Sequence, residues 1–272
     1  MDAPLTHTRL LTHKQAVIFG AGGAVGTAVA KEFATQGATV FLSGRTLYAV
    51  EQVAASIDQD GGIAYAAQVD ALDEQAVQAY LDRVAKEAGS IDILLNVMGP
   101  QPKDFSNGSN TLELPLEQFL LPLSTLVPSQ FITARAAARH MVRQRSGVIL
   151  FVTAGLDMTK TPNVTAIGAA FGAMEALFRC LATDLGPAGV RVVGIHSGAM
   201  IETRTIQQGI ERIVNTMGVS KEQVMSQFEQ ATLLRRLSTA ADTARVAAFL
   251  ASDGARTITG TLVNASSGRI ID

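Results

Sequence analysis

Net charge and cysteine are the scarce commodities of this chain, and each scarcity excludes something. Across 272 residues, 22 Lys and Arg stand against 24 Asp and Glu, a formal charge of −2. So balanced a composition gives no reason to expect nucleic acid or an anionic membrane as partner. Cys180 is the one cysteine, so no internal disulfide can form, and a reducing compartment fits. It falls in an apolar helical pattern and reads as a packed thiol rather than a nucleophile. No run approaches a membrane span. The start, Met1-Asp2-Ala3-Pro4, lacks the basic and apolar regions of a secretory signal, so the expected location is cytoplasmic. Residues 1–13 read as a polar leader. His7 and His13 within it have no Cys or carboxylate cluster beside them, and no metal site is expected.

What is present is a buried core. A 47% hydrophobic and 17% charged composition suits an extensively packed domain. Short apolar runs alternate with longer amphipathic ones. Strands are expected at 15–19, 38–43, 63–69, 91–97, 148–153, 190–196 and 261–265. Helices are expected at 25–36, 47–58, 74–88, 116–143, 164–185 and 242–251, with helical excursions over about 200–230. Strands alternating with helices imply parallel pairing and right-handed crossovers. Apolar strands imply helices on both faces. The expected fold is a single α/β domain over 14–272, a Rossmann-type doubly wound parallel sheet in three layers, α/β/α. Ligands of such sheets bind beyond the carboxyl ends of the strands. Pro122 and Pro128 should interrupt helix 116–143, as a kink or as two shorter helices.

The first strand is followed by Gly20-Ala21-Gly22-Gly23-Ala24-Val25-Gly26. Glycines there allow a tight turn and close approach of a pyrophosphate to backbone N–H groups. The second strand runs into Ser43-Gly44-Arg45-Thr46, without the carboxylate that would accept from a ribose 2′-OH. Arg45 offers a planar cation to a 2′-phosphate, with Ser43 and Thr46 as hydroxyl donors, so NADP(H) is favoured over NAD(H).

These features, with others spread from residue 19 to residue 260, resemble the short-chain dehydrogenase/reductase family along essentially the whole chain. Against its T-G-x-x-x-G-x-G motif, Phe19 replaces Thr, Gly20 and Gly26 match, and Ala24 replaces the middle glycine. Val69-Asp70 resembles the adenine-binding aspartate after the third strand. Asn96-Val97-Met98-Gly99 resembles the N-N-A-G turn. Ser197-Gly198 stands in the P-G turn, and Ile201-Glu202-Thr203 continues it, so the resemblance implies a nicotinamide contact at Thr203. It also implies assembly as a homotetramer or homodimer, for which Ala134, Ala136, Ala137, Ala138, Ala169 and Ala170 would allow close helix packing.

The resemblance implies catalysis by Asn, Ser, Tyr and Lys, and here the chain departs from it. Counting from Gly147, the serine falls at Ala154, the tyrosine at Ile167 and the lysine at Phe171; counting back, the asparagine falls at Leu126. Tyr48, Tyr65 and Tyr80 all precede the fifth strand, and no lysine lies between Lys160 and Lys221, so a shifted register does not recover the pair. Thr153, Asp157, Lys160 and His196 are the remaining candidates for proton transfer, each with a plainer structural reading as strand residue, loop charge or core histidine. Met98, Leu126, Met158, Ile167, Phe171 and Met200 read either as an apolar pocket or as ordinary core. The expected function is an oxidoreductase with an atypical site acting on a small apolar substrate. The alternative is an inactive NADP(H)-binding sensor or supporting subunit.

Overall fold

Two hydrophobic cores, one on each side of a parallel sheet, set the positions of everything else. The computed structural model describes residues 9–99, 104, 109–156, 158 and 161–271. Among these the elements are β1 (Gln15–Phe19), α1 (Ala24–Thr35), β2 (Thr39–Gly44), α2 (Leu47–Gln59), β3 (Ile63–Gln68), α3 (Glu74–Ala88) and β4 (Ile93–Asn96). Then follow α4 (Leu116–Gln144), β5 (Gly147–Thr153), α5 (Thr165–Leu185), β6 (Val190–Ser197), α6 (Arg204–Met217), α7 (Lys221–Gln230), α8 (Ala240–Ala251) and β7 (Thr261–Ala265). The sheet order is β3-β2-β1-β4-β5-β6-β7, parallel throughout. This is the expected doubly wound α/β/α arrangement.

Alternation along each strand sends successive side chains to opposite faces. Ile18, Leu42, Leu95 and Leu150 join Val29, Phe33, Ile57 and Ala247 under α1, α2 and α8. Val17, Phe19, Leu94 and Phe151 join Val77, Leu81, Ala137 and Phe178 under α3, α4 and α5. Chain order reverses between β1 and β4, where Phe19 pairs with Ser43 on one side and with Asn96 on the other. A crevice therefore opens beyond the carboxyl ends of these strands.

Local signals set the helix ends. Gly37, at φ 93°, follows the last residues of α1, and Gly89, at φ 84°, closes α3. The Asp73 carboxylate caps α3 by accepting from the Ala76 N–H at 3.0 Å. Leu11, inside the stretch read as leader, is fully buried, and its N–H donates to the Gln36 carbonyl at 2.9 Å. His7 lies outside the described residues.

Four expectations need correction. The strands are not covered on both faces throughout: in end strand β3 the apolar Ile63 and Tyr65 are 54% and 56% exposed, because α2 packs on one face of it and no helix packs on the other among the described residues. Helix α4 is not two helices: it runs through both prolines, with the Thr125 and Ser129 hydroxyls donating to the Leu121 and Leu126 carbonyls at 2.8 Å. Cys180 is exposed, because it lies on the outer side of α5. Finally, the segment Thr165–Ala188, containing α5, is long and apolar enough to cross a membrane by length and composition. In the fold it is a core helix packed against α4 and β6, with Ile167, Phe171, Met174 and Phe178 inward. Ala134, Ala136, Ala137, Ala138 and Ala170 are buried within the single chain, where they serve internal packing.

Candidate functional site

The β1–α1 turn is built around two contacts that exclude a side chain. Gly20 has φ 85°, and a Cβ there would lie 2.9 Å from the Val97 carbonyl oxygen. At Gly26 a Cβ would lie 2.3 Å from the Gly20 carbonyl oxygen, so the first turn of α1 rests directly on the loop. The Gly20 and Ala21 N–H groups both donate to the Ser43 carbonyl, at 3.0 and 3.1 Å, which ties the loop to β2. Gly22 and Gly23 are exposed and Gly23 is the N-cap, so no side chain covers the helix end. The N–H groups of Ala24, Val25 and Gly26 open the helix and have no partner a turn earlier within it. Unclaimed donors, a positive helix end and the missing side chains fit an anionic pyrophosphate.

At the end of β2, Arg45 and Thr46 are exposed. Among the described residues the Arg45 guanidinium has no ion pair, while its carbonyl accepts from Gln68 Nε2 at 2.9 Å. Ser43 differs from its expected role as a free donor. It is fully buried, and its hydroxyl donates to the Ile18 carbonyl at 3.3 Å. Asp70 is exposed with one carboxylate oxygen accepting from the Leu72 N–H at 3.0 Å. Gly99 is exposed beyond β4. Asn96 turns its side chain into the core, where Oδ1 accepts from the Thr133 hydroxyl at 3.0 Å. After β6, a Cβ on Gly198 would lie 2.9 Å from the Ser238 hydroxyl. Thr203 precedes α6, and its hydroxyl donates to the Met200 carbonyl at 2.7 Å.

The four positions expected to hold Asn, Ser, Tyr and Lys come together as hydrocarbon. Leu126, Ile167 and Phe171 are 5%, 0% and 3% exposed and belong to one core cluster, with Ala154 and Met98 packed against it. Met200 is buried and Met158 is exposed, so Met158 is not part of that lining. Tyr48 and Tyr65 are exposed on α2 and β3. Tyr80 is buried on α3, edge-on to Phe19, where burial pushes its phenol well above the usual range. A groove of about 680 Å³ opens beside the start of α5 among Asn110, Thr111, Asn163, Val164, Gly168 and Gly172. It faces a different side of α5 from Ile167 and Phe171, which are turned inward.

Of the polar candidates, Asp157 and Lys160 lie outside the described residues. Thr153 and His196 are in register on β5 and β6, both buried. His196 Nε2 lies 2.7 Å from a carboxylate oxygen of Glu175, itself 4% exposed. Glu175 was not singled out from the sequence. A lone carboxylate on the buried face of an otherwise apolar helix was the available signal, since such a group needs a partner.

Comparison with known proteins agrees with this architecture. The family described as enoyl-(acyl carrier protein) reductase matches residues 20–269. The 7α-hydroxysteroid dehydrogenase of Escherichia coli strain K12 is 32% identical over 260 residues, which is 96% of this chain and 95% of that protein. A solved 7α-hydroxysteroid dehydrogenase complexed with NADH and 7-oxo glycochenodeoxycholic acid superimposes with a TM-score of 0.83 at 31% identity, covering 97% of each chain. An NAD+-bound xylitol dehydrogenase gives a TM-score of 0.86 at 28% identity, over 95% of this chain and 99% of that one. The chain belongs to the short-chain dehydrogenase/reductase family of oxidoreductases.

Proposed function

We propose that this oxidoreductase is an NADP(H)-dependent reductase of an activated C=C or carbonyl in a small apolar substrate, working without a tyrosine–lysine pair. One observation carries the reading: Leu126, Ile167 and Phe171, where the proton machinery of the family would stand, are buried hydrocarbon in a single cluster. The free Arg45 guanidinium at the end of β2, with no carboxylate beside it, supports NADP(H).

The bound cofactor would supply the hydride. The chain's own residues do the rest. The N–H groups at Gly22, Ala24 and Val25 would hold the pyrophosphate, the Gly23 N–H being already engaged by the Gly20 carbonyl at 3.2 Å; Arg45 and Thr46 would hold the 2′-phosphate, and Asp70 the adenine. The backbone at Asn96, Gly99 and Gly198 would line the nicotinamide end, with Thr203 placed to meet its amide. The hydrocarbon lining excludes water and fixes the approach of the substrate carbon. Reduction of a ketone leaves a basic alkoxide that needs a proton at once. Reduction of a conjugated C=C leaves a less basic enolate, which a modest acid or water quenches. The lining therefore favours the second substrate class.

Fluorescence titration with NADPH and NADH tests the cofactor, and a panel of activated alkenes and matched ketones tests turnover. Tighter NADPH binding and saturated product from an alkene are expected. Tight NADPH binding without oxidation across the panel would favour the second reading, a sensor or supporting subunit, which the same lining supports. Assembly as a homotetramer or homodimer is part of the proposal. It draws support from the exposed Leu116, Leu120, Phe131 and Val142 along α4, and a solution mass of one chain would count against it.

A further inference from the structure

The carboxyl ends of β4, β5 and β6 carry polar groups that ordinary core packing does not explain. Asn96 Nδ2, Gln130 Oε1, Thr153 Oγ1 and His196 Nδ1 are all buried and have no hydrogen-bond partner among the described residues. The four residues are between 0% and 2% exposed. Asn96, Thr153 and His196 share the sheet face that packs against α4 and α5. Two-residue spacing puts each with Leu94, Phe151 or Val192, which belong to that core. Gln130 reaches the same place from α4: its Nε2 donates to the Met98 carbonyl at 3.4 Å. The Thr133 hydroxyl has Asn96 Oδ1 and the Ser129 and Gln130 carbonyls within hydrogen-bonding distance, and its one proton is shared among these acceptors.

Native proteins leave few buried polar atoms unpaired and satisfy most of the remainder with ordered water. Here the unmet atoms alternate in kind. Asn96 Nδ2 donates, Gln130 Oε1 accepts, and the Thr153 hydroxyl and the free imidazole nitrogen do either. The row ends at the buried Glu175–His196 pair, held at 2.7 Å. Among the described residues, the other groups facing His196 add no charge. Thr153 on β5 and Asn264 on β7 are its register neighbours. Ile270 packs at Gly155 beside the ring.

We infer that the Glu175–His196 pair is the proton source of this enzyme, and that it reaches the substrate through Thr153 Oγ1 and water held between Thr153, Gln130 and Asn96. The inference rests on the reductase reading proposed above and names the groups that replace the tyrosine–lysine pair. The steps balance. The reduced nicotinamide, when bound, would supply the hydride for the new C–H bond, and the substrate would be left as an enolate or alkoxide. The Nδ1–H bond of the pair breaks as a bridging water between Nδ1 and Thr153 Oγ1 accepts that proton, and the Thr153 hydroxyl, taking one from that water, passes its own onward through water to the anion. The pair, one proton poorer, stays joined at Nε2, and a proton from solvent restores it. Glu175 is a positioning residue: by engaging Nε2 it leaves Nδ1 as the end that transfers.

Thr153→Val and Glu175→Gln test this, with Tyr80→Phe as control. Tyr80 also carries a buried hydroxyl without a partner among the described residues, but it sits on α3 outside the row. Turnover of an activated alkene with NADPH should fall about tenfold to a hundredfold in kcat for Thr153→Val and Glu175→Gln. KM should stay within twofold, and Tyr80→Phe should match the unaltered protein. If either variant fails to fold, nitrogen-15 NMR of the unaltered protein decides instead. A hydrogen-bonded Nδ1 supports the relay and a bare Nδ1 overturns it. Unaltered kcat in both variants of an active enzyme removes the relay and leaves the reductase reading. An unaltered protein that binds NADPH but reduces nothing removes that reading and the relay together.

Discussion

Phe171→Lys puts back the lysine that the family pattern asks for, and the fold predicts that it will cost stability rather than restore activity. Phe171 is 3% exposed and packs in the cluster of Leu126, Ile167 and Met174. Truncating a buried phenylalanine costs about 3–5 kcal/mol, part of which the lysine stem recovers by its own burial. The ammonium then either forces its way to water or loses its proton. Taking a lysine from its ordinary pKa of about 10.4 to below 7 costs about 4–5 kcal/mol at neutral pH. The expected loss is therefore about 3–7 kcal/mol, against a total stability of about 5–15 kcal/mol for a domain of ordinary kind. Urea unfolding read by circular dichroism measures it, and Ile167→Tyr/Phe171→Lys should be no more stable than the single variant. A loss below about 1 kcal/mol would mean that position 171 faces an open cleft. The claim that hydrocarbon replaces the proton machinery would then fall.

Gly26→Ala places a methyl group 2.3 Å from the Gly20 carbonyl oxygen, so α1 must lift from the loop. Overpacking of this kind costs about 1–3 kcal/mol, and titration should show NADPH and NADH both weakened. Arg45→Ala should weaken NADPH by roughly five- to thirtyfold and leave NADH within twofold, since a charge-assisted bond at an exposed site contributes about 1–2 kcal/mol. An unchanged ratio would remove the 2′-phosphate assignment. The Thr239 N–H and hydroxyl beside Asp242, with Arg245 nearby, hold its carboxyl below its ordinary 3.8. A depressed folded-state pKa stabilises fully above the unfolded value, so this cap's contribution should be intact above about pH 4 and vanish as pH falls below it. Thr239→Ala should cost about 0.5–2 kcal/mol in thermal unfolding at pH 7.

Much of the fold was legible because its causes are local. Gly89 ends α3, Asp73 begins it, and the glycines between β1 and α1 sit where positive φ and close backbone approach demand them. What escaped was set by tertiary neighbours. Nothing in Ile63-Ala64-Tyr65 says that the strand lies at the end of the sheet, and so its exposure could not be read. Pro122 and Pro128 mark a break by chain chemistry alone, yet α4, packed along α5, runs through both. At the candidate site the hydrocarbon positions were legible by counting, while the pairing of Glu175 with His196 was not. Those residues lie 21 apart on different elements, and only the docking of α5 against β6 joins them.

That docking bears on how a site without a tyrosine can still act. A lost general acid costs about 10²–10⁴ in rate, whereas well-oriented reactants gain effective molarities of about 10⁵ or more. Orientation is the larger quantity, and it depends on the rigid parts of this fold: the β1–α1 loop tied to Ser43, and the hydrocarbon wall of α4 and α5. The wall that orients also raises the cost of any localised charge formed beside it, because a low local dielectric strengthens every unbalanced interaction. A substrate whose reduced form spreads its charge is penalised least. On the proposed reading, the hydrocarbon standing where the family's proton donor would be narrows the substrate class toward conjugated acceptors, and polar side chains at the strand ends would complete the reaction.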